Sequence, residues 1–446
     1  MKKPSAAVRV KSIHVKGLFG IYKHDVVLNE SERMTVVHGP NGVGKTVLFK
    51  LAQDLLAGSG VDLLKYPFDE FRVEFTNDAI VTAKSIEKNS AIEVSSHQHG
   101  KSTPPVKVDE KSFNKLAHRL EQRLPIHQIG GDLWFNPETD EKLNSFEVVS
   151  LYGGGIDGEF DGLVEGSLHK WRKSLSYIPR IHMIEAQRLI RLRRVTARTY
   201  RGGAEQAVRD TVMEYSQQLK QKINITLAEY GKQAQKLDQT FPQRLLQQGG
   251  TPADATQIKN DLQAIESKQK TYQQLGLIDE ALSPVHGLNQ LESDPVKLAA
   301  MTVYVTDMKA KLDVLDYLAQ RVSLLLGQIN EKFTDKKLHI DAQHELAIRT
   351  SHGDAIPVSA LSSGEQHQIV LAYDMLFRIE ANSLVMIDEP ELSLHVNWQE
   401  RFLSDLESVI GVANFDALIA THSPYIINGR NELMVSLSAK ENSRAA

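Results

Sequence analysis

The amino-acid sequence predicts an α/β fold that is interrupted by a β-rich segment and a long helical arm. Three observations support this prediction. An apolar run at 34–37 leads through a glycine-rich loop into a helical run at 47–57. A second apolar run, 384–387, ends in two carboxylates, as expected of a buried parallel strand at its ligand-binding end. Between these runs, apolar residues of the stretch 203–335 recur at spacings of three and four, which is typical of helices.

Composition limits the class of protein. The chain has 446 residues, which is long for one core, so we expect two or three lobes. No run approaches the length of a membrane-spanning helix, and the N-terminus lacks the apolar core of a signal peptide. The absence of cysteine excludes disulfides and thiolate metal ligands and favours the cytoplasm. The net charge of −4 means that any nucleic-acid contact should be local.

The loop after the first apolar run has the spacing G-x-x-x-x-G-K-T. Between a strand and a helix, this pattern predicts backbone N–H groups that surround a phosphate at the positive end of the helix. Lys45 should reach the β- and γ-phosphates of ATP, and the Thr46 hydroxyl should bind Mg²⁺. The loop residues expected to contact ATP are Gly39, Pro40, Asn41, Gly42, Val43, Gly44, Lys45 and Thr46.

The remainder of the N-terminal part, residues 1–202, contains a β-rich insertion at about 58–175. Strands are predicted at 71–75, 80–86 and 91–95, a helix at 113–124, and a hairpin turn after Trp134 and Phe135. The glycine-rich stretch 153–166 lacks the order of a phosphate-binding loop, so we interpret it as a flexible loop.

Residues 203–335 form the predicted helical, coiled-coil-like arm. Three apolar-periodic runs are separated by breaks at 247–252 and 283–295. The longest helices, of about 35 residues, would span roughly 50 Å. This pattern is equally compatible with two interpretations: the arm is a lever that transmits motion, or it is an ordinary helical subdomain.

The C-terminal part, residues 336–446, contains the second half of the predicted site. Ser362, Ser363 and Gly364 open a helix, and hydroxyls at a helix N-terminus favour an anion. Asp388 should hold Mg²⁺, and Glu389 should act as the general base that activates water. A last strand, 417–420, leads to His422, which could stabilise a γ-phosphate.

These motifs occur in a recognisable order: G-P-N-G-V-G-K-T, Gln187, L-S-S-G-E, V-M-I-D-E-P, S-L-H and T-H-S-P. In this order the chain resembles the ABC-type ATPases of the SMC, Rad50 and RecF group. The phrase I-D-E-P-E-L-S-L-H-V-N-W-Q with A-T-H-S-P is most similar to the OLD-like branch, which includes the ATPase subunits of the PARIS and Septu anti-phage systems. The resemblance covers about 8–57, 177–201 and 336–430, and implies an ABC-ATPase head.

The resemblance also implies roles for individual residues. Gln187 would be the Q-loop glutamine that touches Mg²⁺ and ATP, and Asp388 and Glu389 the Walker B pair. Ser393 and His395 would lie in the D-loop, and His422 would be the switch histidine. The signature motif that contacts ATP would comprise Ser362, Ser363, Gly364 and Glu365, with Ser363 where the commonest signature has glycine.

Two functions are compatible with this resemblance. The first is an ATPase that acts as a sensor or scaffold in anti-phage defence, works as an ATP-sandwiched homodimer or higher oligomer, and responds to a phage-derived trigger. Because few residues follow the last motif, we expect its effector, a Toprim- or HNH-type nuclease or a toxin, to be a separate chain. The alternative is a RecF- or Rad50-like DNA-repair ATPase, which the six arginines of 188–201 favour, although a solvated face explains them equally well. A membrane transporter subunit fits poorly, because such domains lack the arm.

Overall fold

The structure is a computed structural model that describes residues 7–437 with several gaps. The gaps are 58–59, 87–90, 122–125, 132, 138–140, 146–147, 149–170, 173–174, 176, 186–203, 248–253, 279–294, 342 and 344. The predicted glycine-rich loop at 153–166, the arginine stretch at 188–201 and Gln187 therefore lie outside the described residues. The chain divides into a first unit, Met1–Ala207 with Arg378–Ala446, and a second unit, Val208–Phe377.

The first unit contains an antiparallel sheet that begins at the N-terminus. Its strands are β1 (Val10–Leu18), β2 (Tyr22–Val27), β4 (Glu70–Phe75), β5 (Ile80–Ile86) and β6 (Ala91–Gln98), with β7 (Lys101–Ser102) and β8 (Val106–Asp109) both paired to β6. The order β2-β1-β4-β5-β6 shows that the strands predicted at 71–95 extend the sheet begun by β1. In β4 and in the first half of β5, buried residues alternate with partly buried ones, which places the apolar face of the sheet in the core.

A small antiparallel sheet follows this one along the chain. It consists of β9 (His127–Gly130), β10 (Leu133–Asn136) and β11 (Glu141–Asn144). The hairpin predicted after Trp134 is confirmed, since β10 pairs with β11. Two helices precede it, α2 (Val61–Lys65) and α3 (Glu110–Glu121), and α3 confirms the helix predicted at 113–124.

The second sheet of the first unit is fully parallel and carries the predicted site. Its order is β12 (Ile181–Glu185), β16 (Leu384–Asp388), β17 (Asp416–Thr421), β3 (Met34–His38) and β18 (Met434–Ser436). Every residue of β16 and β17 is buried, which explains their uninterrupted apolar sequences. The unit also contains α1 (Lys45–Leu56), α8 (Val396–Gln399), α9 (Phe402–Ala413) and α10 (Pro424–Ile427). The parallel sheet and these helices give this part of the unit the predicted α/β class.

The second unit contains the long helices α4 (Ala204–Gln247), α5 (Ala255–Gln274) and α6 (Pro295–Lys332). The three helical runs of the predicted arm are confirmed, but α4 has 44 residues rather than about 35. Ion pairs join the helices: Arg244 to Asp307 and Lys311 to Asp238 connect α4 with α6, and Lys268 connects α5 with α6. Among the residues described, no helix is long and apolar enough to cross a membrane.

The second unit also contains residues 336–377. Strands β13 (Lys336–Ile340), β14 (Leu346–Thr350) and β15 (Ala355–Ile356) form a small antiparallel sheet, followed by α7 (Ser363–Tyr373) and a π-helical turn, Asp374–Arg378. The predicted C-terminal part of the head, 336–446, is thus divided between the two units.

Candidate active site

The glycine-rich loop connects β3 to α1 as its sequence predicts. Gly42 and Gly44 have φ values of 82° and 93°, which side-chain-bearing residues rarely adopt. A Cβ on Gly44 would also lie 2.6 Å from Leu18 Cδ2. Gly44 is the N-cap of α1 and no side chain caps the helix, so the first-turn N–H groups remain suited to bind phosphate oxygens.

Lys45 is the first residue of α1 and is only 5% exposed. Its Nζ donates hydrogen bonds to the carbonyl oxygens of Gly39 at 2.9 Å and Pro40 at 3.1 Å. Burial lowers the pKa of Lys45, while the carboxylates of Glu389, Asp388 and Glu391 raise it. The Lys45 ammonium is therefore held by the backbone at the start of the glycine-rich loop, close to these three carboxylates.

Asp388 and Glu389 lie at the carboxyl end of β16, between β12 and β17. Asp388 is 7% exposed and pairs in register with Ala420 of β17. Glu389 adopts a left-handed conformation with φ 48°, and its N–H donates to Ala420 O at 2.8 Å. The two consecutive carboxylates therefore have different surroundings: Asp388 is buried, whereas the Glu389 side chain is 34% exposed.

His422 follows β17 and lies between Lys45 and Glu389. Its Nδ1 is 3.3 Å from Lys45 Nζ, and its Nε2 is 3.6 Å from Glu389 Oε1. Burial and then the charge of Lys45 lower the pKa of His422, which favours the neutral ring. Because an ammonium can only donate, Nδ1 is the acceptor, and Nε2 carries the proton and faces Glu389.

The remaining predicted residues of the first unit are placed as follows. Thr46 is half-buried in the first turn of α1, while Pro40, Asn41 and Gly42 are exposed in the loop. Ser393 ends a 3₁₀ turn, Pro390–Ser393. Gln187 lies outside the described residues; β12 ends two residues earlier, at Glu185, which pairs with Asp388.

The predicted signature residues lie in the second unit, at the N-terminus of α7. Ser362 and Glu365 form a capping box, in which Ser362 N donates to Glu365 Oε2 at 2.8 Å. Lys336 Nζ holds the same carboxylate at 3.0 Å. Burial alone would raise the pKa of Glu365, but hydrogen bonds from Ser362 and Lys336 lower it. Ser363 is exposed, and space around Gly364 is open within 4 Å.

Four further residues lie close to the site and are not among the predicted site residues. His24 of β2 is 2% exposed, and its Nε2 donates to Val43 O of the phosphate loop at 2.8 Å. Glu391, Gln399 and Ser423 form hydrogen bonds around His422. Glu391, Gln399 and Ser423 all lie within the quoted motifs I-D-E-P-E-L-S-L-H-V-N-W-Q and A-T-H-S-P, whereas no motif contains His24.

Comparison with known proteins gives one extensive family match. Residues 34–428 match the family described as "AAA domain, putative AbiEii toxin, Type IV TA system". The chain is also 32% identical to Protein ea59 of Escherichia phage lambda over 98 residues, which is 22% of this chain and 16% of that protein.

Solved structures similar to the chain include SMC head domains. One, from Pyrococcus furiosus, has an extended coiled coil and is bound to the C-terminal domain of ScpA. It matches at 12% identity and a TM-score of 0.32, over 97% of this chain and 94% of that chain. The head from Thermotoga maritima matches at 11% identity and a TM-score of 0.32, over 96% of this chain and 95% of that chain.

Proposed function

The chain belongs to this AAA-domain family, and from that premise we propose that it is an ABC-type ATPase that binds and hydrolyses ATP to control a separate effector. The observation that carries the proposal is the meeting of Lys45, Glu389 and His422 beside the phosphate loop. Lys45 Nζ is 3.3 Å from His422, and His422 is 3.6 Å from Glu389. A cation, a carboxylate and a neutral imidazole at the edge of a parallel sheet suit phosphoryl transfer to water.

Each side chain has a separate role in the proposed reaction. Lys45 and the first-turn N–H groups of α1 hold the phosphates and neutralise their charge. Glu389 accepts the proton of the attacking water, since its side chain is partly exposed at the strand end. The Nε2–H of His422 points toward Glu389 and can donate to the γ-phosphate or to the water.

The residues present fit a bound Mg²⁺, which would neutralise charge on the β- and γ-phosphates. Asp388 is a buried carboxylate at the end of β16, and Thr46 provides a hydroxyl in the first turn of α1. Oxygen ligands of this kind, completed by phosphate and water, are those that Mg²⁺ prefers. Gln187 is a further proposed ligand from its sequence position alone.

The proposed setting is anti-phage defence of the OLD-like type. Two findings support it: the family description names an AbiEii toxin of a Type IV TA system, and part of the chain is similar to a protein of phage lambda. In this proposal the chain is a homo-oligomeric sensor or scaffold. A nuclease or toxin subunit carries out the damage.

The ATPase is tested with two site variants and two matched controls. Lys45→Ala should weaken ATP binding at least about 10-fold, because charge-assisted hydrogen bonds contribute about 1.5–3 kcal/mol each. Glu389→Gln should bind ATP normally and hydrolyse it about 10²–10⁴-fold more slowly. Nucleotide binding and phosphate release would be measured alongside Lys50→Ala and Glu400→Gln, which should resemble wild type. Unchanged binding by Lys45→Ala would contradict the phosphate-site assignment, and unchanged turnover by Glu389→Gln would exclude it as the base.

The effector is tested by affinity purification of the tagged chain expressed from its native locus. We expect a second polypeptide with nuclease or toxin activity to co-purify. The recovered amount should differ between Glu389→Gln, which retains ATP, and Lys45→Ala, which does not bind it. A chain that purifies alone and binds DNA with a steep salt dependence would instead support direct action on DNA.

A further inference from the structure

Gln399, the last residue of α8, connects two loops of the active site. Its side chain is buried, with 8% exposure. The amide Nε2 donates to the carbonyl oxygens of Glu391 at 3.3 Å and Leu394 at 3.1 Å, both in the turn that follows the catalytic carboxylates. The amide Oε1 accepts a hydrogen bond from Ser423 Oγ at 2.7 Å, in the loop that carries His422.

Glu391 connects the same two loops at a second point. Its Oε1 accepts a hydrogen bond from the backbone N–H of His422 at 2.8 Å. The side chain of Glu391 thus fixes His422 itself, while its carbonyl oxygen is fixed by Gln399. His422 is therefore held at its own N–H and, through Ser423, at the following residue.

We propose that Gln399 and Glu391 are positioning residues that fix His422 relative to Glu389. The inference rests on the proposed ATPase function. Gln399 acts through Ser423, and Glu391 acts through the backbone N–H of His422, so their effect should pass through the separation of His422 and Glu389.

The chemistry of the contacts requires these side-chain types. A glutamine amide offers two N–H donors and an acceptor, and all three functions are used here. Methionine has a similar length but provides no amide donor, and glutamate would place a charge next to two carbonyl oxygens. At position 391, by contrast, the contact needs only an oxygen acceptor, which glutamine also provides.

The experiment measures kcat, KM, ATP affinity and thermal midpoint in variants of the full chain. Gln399→Met should lower kcat about 10- to 100-fold, because small misplacements of catalytic groups are costly. Its ATP affinity should remain within about threefold, since Lys45 is untouched.

Ser423→Ala, which removes one hydrogen bond, should lower kcat about 2- to 10-fold. The double variant Gln399→Met/Ser423→Ala should have a kcat close to that of Gln399→Met alone, because both changes remove the same contact. Asn397→Ala, an exposed position on α8, serves as the matched control.

Two variants of Glu391 distinguish a positioning role from a direct role in the reaction. Glu391→Gln keeps an oxygen for the His422 N–H and should retain at least about ten times the kcat of Glu391→Leu. If Glu391→Gln is as inactive as Glu391→Leu, the charge of Glu391 acts in the reaction and its assignment as a positioning residue is wrong.

The remaining outcomes also decide the inference. Wild-type kcat in both Gln399→Met and Ser423→Ala would overturn it, as would equal losses of ATP affinity and kcat, which indicate a structural role only. If Gln399→Met does not fold, the kcat of Ser423→Ala against wild type, and of Glu391→Gln against Glu391→Leu, still tests the positioning role. A wild-type chain without ATPase activity would count against the proposed function instead.

Discussion

His24 shows how a single buried residue can support the phosphate loop. Its ring stacks on Tyr22 at 5.6 Å, and its Nε2–H donates to the Val43 carbonyl. Burial lowers the pKa of His24, although the hydrogen bonds to the Val43 and Lys23 backbone and the charge of Asp25 oppose this effect. The ring is therefore neutral in the folded protein near pH 7.

Replacing His24 should affect stability in a pH-dependent way. Loss of the bond to Val43 in His24→Leu leaves a buried carbonyl unsatisfied and should cost about 1–3 kcal/mol. Because the folded-state pKa is lowered, the unfolded chain binds more protons, and wild-type stability falls as the pH drops through about 6.5. His24→Leu should therefore lose less of its thermal midpoint between about pH 7.5 and 5.5 than wild type does.

The matched control for this measurement is His352→Leu, at an exposed turn of the second unit. It should leave both the midpoint at neutral pH and its pH dependence close to those of wild type. A His24→Leu chain with the pH dependence of wild type would show that His24 does not titrate on unfolding as described.

Site residues that follow an apolar run could be predicted from the sequence. The residues whose hydrogen bonds position the site loops could not. Lys45, Asp388 and His422 each follow an apolar run, so a parallel sheet brings them to one edge. His24 and Gln399 reach partners 19 and 24 residues away along the chain. Such contacts leave no periodic pattern, so only the structure identifies them.

At the scale of elements, the arm helices were predictable because an apolar stripe repeats with the helical period. Their length was underestimated, since α4 has 44 residues and runs through Pro242, although proline removes a backbone donor and usually ends a helix. In α4 the helix continues, and tertiary ion pairs lie on both sides of this residue: Lys311 with Asp238, and Arg244 with Asp307. Because the partners of these ion pairs belong to α6, the α4 sequence alone does not predict them.

Strands were likewise easier to predict than their partners. The alternation at 71–75 and 80–86 correctly indicated β4 and β5. The pairing of β4 with β1 joins residues such as Phe71 and Val15 across more than 50 residues. Since pairing over such a distance depends on chain topology, the sequence suggested a separate insertion where the structure has one sheet.

At the scale of the whole molecule, the predicted ATP-binding motifs are distributed over two units. Lys45, Asp388, Glu389 and His422 belong to the first unit, and the signature residues belong to the second. Within the second unit, Ser362 and Ser363 are exposed at the N-terminus of α7. An exposed helix N-terminus is suited to contact phosphate supplied by another surface, and we propose that this surface is the phosphate loop of a second copy of the chain.

Mixed dimers test this proposal. Dimers of a Lys45→Ala chain and a Ser363→Arg chain, purified through two different tags, would have one site with both lesions and one intact site if the signature acts in trans. They should recover about half of the wild-type ATPase activity, whereas each variant alone should be inactive.

The reciprocal pairing removes the remaining ambiguity. A wild-type chain paired with a chain that carries both Lys45→Ala and Ser363→Arg should be inactive if the signature acts in trans, because each site then contains one lesion. If the signature acts in cis, this second dimer retains about half of the activity and the first dimer none. Inactivity of both dimers would mean that the two sites hydrolyse ATP only together. The pair of measurements therefore distinguishes a composite site from a self-contained one, with phosphate release by dual-tag-purified dimers as the single readout.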